Sequence, residues 1–66
     1  MFCLTGYTYG FPWKVQGVKA VDGRVFAVVN VGSITKRTES FRDEQAAHDA
    51  GCQLMADTLA QLADAD

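Results

Sequence analysis

Residues 13–40 read WKVQGVKAVDGRVFAVVNVGSITKRTES. Two glycine-bearing dipeptides cut this stretch into three β-rich runs. Asp22-Gly23 separates Trp13–Val21 from Arg24–Val31, and Gly32-Ser33 separates that run from Ile34–Ser40. Asp-Gly suits a type I′ turn, whose two central residues both need positive φ. Gly at the first central position suits a type II′ turn. Residues 13–40 therefore read as a three-stranded antiparallel meander.

Two-residue turns set the register, and the register assigns the faces. With Asp22-Gly23 as the loop, Val21 opposes Arg24, Ala20 opposes Val25 and Val18 opposes Ala27. Across the second turn Val31 opposes Ile34 and Val29 opposes Lys36. One face then holds Val18, Ala20, Val25, Ala27, Val29, Val31 and Ile34. It is small and aliphatic, suited to a helix lying across it. The other face holds Trp13, Val15, Gly17, Lys19, Phe26, Val28, Asn30, Thr35, Arg37 and Glu39.

From Asp43 the period changes to that of a helix, over residues 43–63. Asp43 is a good N-cap, and Glu44 favours the positive end of the helix dipole. Ser40 with Asp43 forms a rival capping box. At 100° per residue, Ala47, His48, Gly51, Cys52, Met55, Thr58, Leu59 and Leu62 share one stripe, with Leu54 at its edge. Asp49, Gln53, Asp57, Ala60 and Asp64 lie opposite. The apolar stripe has one place to go, the aliphatic sheet face. Phe41 stands at the strand-to-helix junction and is expected to plug the core there. The fold class is α+β: a three-stranded antiparallel meander packed on one C-terminal amphipathic helix.

Residues 1–12 form an aromatic N-terminal segment with Phe2, Tyr7, Tyr9 and Phe11. They suit either a fourth strand at the sheet edge or a flap folded over the outer face. Gly10 and Pro12 are expected to end any strand before Trp13.

The chain has 66 residues, which makes 1–66 one small domain. Its 48% hydrophobic and 21% charged content argues for a globular chain rather than a disordered one. The net charge of −2 is unevenly spread. All six basic groups (Lys14, Lys19, Arg24, Lys36, Arg37, Arg42) precede residue 43, with two acids, Asp22 and Glu39. The remainder carries Asp43, Glu44, Asp49, Asp57, Asp64 and Asp66 and no Lys or Arg. No apolar run approaches the ~18–20 residues of a membrane span, and the start lacks a signal-peptide pattern. Cys3 and Cys52 are too few for a disulfide scaffold. The expectation is a cytoplasmic, bacterial-type protein with reduced thiols and no membrane partner.

Chemistry is sparse. His48 and Cys52, four apart on one helix face, have the spacing of a chelating pair, and Cys3 is a third donor. A tetrahedral structural site needs a fourth ligand, and no further Cys or His exists. The bland alternative is a hydrogen-bonded His beside a small buried thiol. Cys3 and Cys52 permit one disulfide, with nothing to indicate an oxidising compartment. A Cys-His hydrolase needs an oriented base and backbone amides for an oxyanion, which a helix interior does not offer. No glycine loop cradles a phosphate, and no carboxylate pair is placed for acid–base work. No cofactor, metal or enzymatic activity is expected.

The outer sheet face carries the functional expectation. Trp13, Val15, Phe26 and Val28 make an apolar patch there, flanked by Lys19 and Arg37. An uncovered patch marks an interface. Its candidate occupants are the N-terminal aromatics, a protein partner or second copy in a homodimer, and a nucleic acid. The expected function is a small non-enzymatic interaction module, protein-binding or self-associating through this face. The alternative is a nucleic-acid-binding domain using the same face.

Three strands followed by Phe41-Arg42-Asp43-Glu44-Gln45-Ala46-Ala47, opening an acidic Ala-rich helix, resemble the AP2-type DNA-binding domain. The same order resembles the arm-binding domain at the N-terminus of tyrosine recombinases. Phe41, Asp43 and Ala47 carry the likeness, over residues 13–62 in order of elements. It implies a sheet that enters the DNA major groove. This chain departs from that pattern in its basic contacts, Lys19, Arg24 and Arg37, and in a pI of ≈ 5.1. The chain is also similar to short proteobacterial βββα proteins of unassigned function, with an aromatic start, a strand meander and a final F-x-[TSD]-x-x-x-A helix. That likeness implies a fold and no function.

Overall fold

The computed structural model describes residues 1–64. Its elements in chain order are β1 (Cys3–Thr8), β2 (Phe11–Lys19), β3 (Val25–Val31), β4 (Ile34–Arg37) and α1 (Glu44–Asp64). The strands form one antiparallel sheet in the order β1-β2-β3-β4. The class is α+β, and the meander has four strands rather than three. The N-terminal aromatics belong to the sheet and do not cover its outer face.

The extra strand is made by the turn at Tyr9-Gly10. Both residues have positive φ, 55° and 81°, and Thr8 faces Phe11 across them. These are the dihedrals of a type I′ turn, whose twist matches that of the flanking strands. Pro12 was expected to end the strand, yet it lies inside β2. Its carbonyl accepts from the Gly32 amide at 2.9 Å. A residue in an antiparallel ladder points its N and O to the same side, so the Pro12 nitrogen meets β3 where that strand is already turning. The missing N–H therefore costs no ladder bond.

The β2–β3 hairpin differs from expectation by one residue. Lys19 pairs with Val25, Gly17 with Ala27, Val15 with Val29 and Trp13 with Val31. The loop is Val21-Asp22-Gly23, closed by Ala20 and Arg24: the Ala20 amide donates to the Arg24 carbonyl and the Gly23 amide to the Ala20 carbonyl. Gly23 has φ +86°. This is a type I turn followed by a left-handed glycine, the three-residue hairpin. The Asp22 carboxylate accepts from the Arg24 amide at 3.0 Å and braces it. A slip of one residue moves every β2 side chain to the opposite face. The Gly32-Ser33 turn keeps the expected register, with Val31 opposite Ile34 and Val29 opposite Lys36. Positive φ at Gly32 and not at Ser33 fits type II′.

Beyond β4 the ladder bulges. The Thr38 amide donates to the Ala27 carbonyl, and two residues back along β3 Val25 exchanges both bonds with Phe41. Three steps on one chain therefore match two on the other. The Ala27 amide finds the Thr38 hydroxyl at 3.0 Å in place of a carbonyl. Phe41, half-buried, is held by this backbone bridge.

The helix starts at the expected cap, where the Asp43 carboxylate accepts from the Gln45 amide at 3.1 Å. No second role as a capping-box partner of Ser40 is seen. Ala47, Gly51, Thr58 and Leu59 are buried, and Leu54, Met55 and Leu62 pack around them. The helix lies over β2 and β3. Its close approach is set at Gly51, where a methyl group would stand 2.7 Å from Ala27 Cβ and 2.9 Å from Val15 Cγ1. The core is Val15, Ala27, Val29, Val31 and Leu59. Two further glycines on this face make room for rings: Trp13 covers Gly6, and the Phe2 ring covers Gly17. Trp13 Nε1 donates to Thr8 Oγ1 at 3.0 Å, so its one polar group is satisfied.

Candidate interaction surface

The register divides the six residues expected to form a patch. Val15 is fully buried beneath the helix. Trp13 lies on the same inner face, packed against the core, and Lys19 on that face at the open end of β2. These three are corrections: the three-residue loop, not a two-residue one, turns them inward. Gly17 moves inward with them, and Val18 and Ala20 move outward. Phe26, Val28 and Arg37 do share the outer face. The Arg37 guanidinium sits over the Phe26 ring, 4.9 Å from its centroid.

The residues that replace the lost three come from pairings with the added strand. Cys3, Thr5 and Tyr7 of β1 face outward, beside Lys14, Gln16 and Val18 of β2. Phe26, Val28 and Asn30 of β3 follow, then Thr35 and Arg37 of β4. Tyr7 is 71% exposed. The Thr35 hydroxyl donates to Asn30 Oδ1 at 2.8 Å and ties β3 to β4 on this surface. Arg24, just before β3, continues the alternation outward. Among the described strand residues, no carboxylate occupies an outward position. Among the described residues, no helix or loop covers this side.

The opposite side of the molecule is acidic. Asp49, Asp57 and Asp64 are exposed along the helix, with Asp43 and Glu44 at its start. Gln45 and Gln53 amides donate to Asp49 and Asp57 at 2.9 Å one turn away. Charge is also uneven across the fold: Lys14, Arg24 and Arg37 lie on the outer sheet face, Lys19 and Lys36 on the inner face, and the helix carries the carboxylates.

A second cluster lies where the helix passes the start of β1. His48 Nδ1 meets Asp49 Oδ1 at 3.2 Å, and its Nε2 lies 3.9 Å from Cys52 Sγ. The Phe2 ring stands edge-on to the imidazole at 5.2 Å. Hydrogen bonds from His48 and then Gln45 hold the Asp49 carboxyl below the ordinary aspartate range. An open groove of about 350 Å³ adjoins, lined by Phe2, Asp43, Glu44, Gln45 and His48. Cys3 and Cys52 are both free thiols, on opposite sides of the sheet. Among the described residues no three His, Cys, Asp or Glu side chains converge as a metal site. No described helix is long and apolar enough to cross a membrane.

No family model matches the chain, and no curated protein or solved structure does either.

Proposed function

We propose that this chain is a non-enzymatic interaction module that docks a protein partner bearing an acidic and apolar patch on its outer sheet face. One observation carries the reading: that face is open, aromatic and basic, with Tyr7, Phe26, Lys14, Arg24 and Arg37 and no outward carboxylate on its strands. A second copy docked face to face sets these cations against themselves, so charge disfavours the isologous dimer. A nucleic acid suits the cations, but a net charge of −2 and the acidic helix behind the sheet repel a polyanion. The plate is small: four strands at ~4.8 Å and about six residues at ~3.4 Å span roughly 20 by 20 Å. An interface on that scale is of the weak, transient class.

The test is partner capture by four baits: the native chain, Phe26→Glu, Arg37→Glu and Asp57→Lys. The expected result is a bound protein lost from both sheet-face baits and kept by the helix-face bait. With that protein purified, a tenfold rise in salt is expected to weaken binding only modestly. Capture abolished by nuclease, with affinity falling steeply with salt, assigns the face to nucleic acid instead. Concentration-dependent sedimentation abolished by Phe26→Glu assigns it to a second copy. Equal capture by all four baits overturns the surface.

A further inference from the structure

We infer that Cys52 is a base-assisted reactive thiol, built for thiol–disulfide exchange with small amine-bearing disulfides. The inference is independent of the outer face and lies on the other side of the sheet. Its basis is a three-residue relay within one and a half helical turns. Gln45 holds the Asp49 carboxylate at 2.9 Å, and that carboxylate meets His48 Nδ1 at 3.2 Å. A carboxylate at Nδ1 keeps the proton on that nitrogen, which leaves Nε2 as a free acceptor. Nε2 is the atom that faces Cys52 Sγ, at 3.9 Å. Phe2 stands edge-on to the imidazole at 5.2 Å. The distances are those of a resting site, which shorten when a reactant is bound. Cys52 and His48 are both partly exposed, and His48 lines the adjoining groove.

The step balances with the disulfide as sole oxidant. The Cys52 thiol passes its proton to His48 Nε2, and the sulfur attacks one sulfur of the incoming disulfide. That S–S bond breaks as the Cys52 mixed disulfide forms, and the departing thiolate takes the proton back from His48. The choice of reactant follows from charge. Asp43 and Glu44 line the groove beside the imidazole with no Lys or Arg among its lining residues, and Asp49 meets His48 Nδ1. Ammonium groups are favoured there and carboxylates are not.

Cys3 supplies an internal control, because it is exposed while Cys52 is half-buried. Accessibility alone makes Cys3 react first; base assistance makes Cys52 react first. No Lys or Arg follows Arg42, so trypsin places the two cysteines on separate peptides for mass spectrometry. The folded native chain is treated with cystamine, and separately with oxidised glutathione, near neutral pH. Cys52 is expected to form its mixed disulfide with cystamine about tenfold faster than Cys3, below the roughly hundredfold that a positioned base supplies because Cys52 is the less exposed thiol. Oxidised glutathione is expected to lose that preference. His48→Gln is expected to bring Cys52 to or below the rate of Cys3. The exposed change Asp49→Asn keeps the packing and is expected to slow Cys52 severalfold, which separates base assistance from unfolding. Faster modification of Cys3 in the native chain, or a Cys52 rate indifferent to Asp49→Asn, overturns the proposal.

Discussion

Thr38 shows how much one hydroxyl can carry. Its Oγ1 accepts from the amide of Ala27, a residue with no exposure at all, and donates to the Glu39 carbonyl at 2.8 Å. The bulge after β4 has moved the backbone carbonyl that an unbroken ladder would offer. A side chain therefore does the work of the main chain. Thr38→Val keeps the shape and removes the acceptor, leaving a buried N–H unpaired. Such an orphan costs about 1–3 kcal/mol, a large share of the stability of so small a domain. Denaturant titration of Thr38→Val against Thr38→Ser measures it. Serine is expected to retain most of the stability; equal losses in both variants would mean the methyl, not the hydroxyl, matters.

Hairpins are where the sequence was most and least readable. Each turn dipeptide marks a turn, and the helix with its cap at Asp43 and stripe through Leu59 is plain in the 3.6-residue period. Loop length was not plain. Asp22-Gly23 serves two turn types, one with both residues in the loop and one with the glycine closing a three-residue loop. Local chemistry fits both, and the inner-face volume chooses: the observed register seats Val15 and Gly17 under the helix rather than Val18 and Ala20. That single choice moved Trp13, Val15 and Lys19 off the expected patch, while Phe26, Val28 and Arg37 stayed because β3 was read correctly. Tyr9-Gly10 was missed for another reason. Tyrosine is seldom found at φ 55°, so the dipeptide carries no turn signal although it makes a type I′ turn. Its companion signal was the alternation of Phe2, Leu4, Gly6 and Thr8 with exposed residues between them. The strain is removable. Tyr9 is 70% exposed, and Asn accepts the left-handed region far better. Tyr9→Asn should raise stability by roughly 0.5–1 kcal/mol, seen as a higher melting temperature with unchanged sheet content. A lower one would mean the tyrosine ring contributes packing that exposure does not reveal.

At the scale of the molecule, one helix serves four strands. It covers β2 and β3, so those two strands are closed between neighbours on both edges and the helix on one face. The segment after β4 is tied to β3 through the bulge and the Phe41 bridge before the helix begins. The outer face is left to Lys14, Arg24 and Arg37 beside Phe26 because the one described helix covers only the inner face. β1 stands apart from this arrangement. It is joined to the rest by its ladder with β2, by Phe2 and Leu4 packed at the rim of the core, by Trp13 lying on Gly6 and bonded to Thr8, and by Phe2 beside His48. That makes it a separable unit of local opening, able to peel from β2 while the β2–β3–α1 core stays shut. In amide exchange the β1 protons should therefore trade with solvent through a subglobal opening, well before Val29, whose protection should track unfolding of the whole chain. Identical protection along β1 and β3 would make the domain a single cooperative block. If β1 does open alone, the Phe2 ring leaves with it, and the face of His48 it covers is bared at the frequency of that opening.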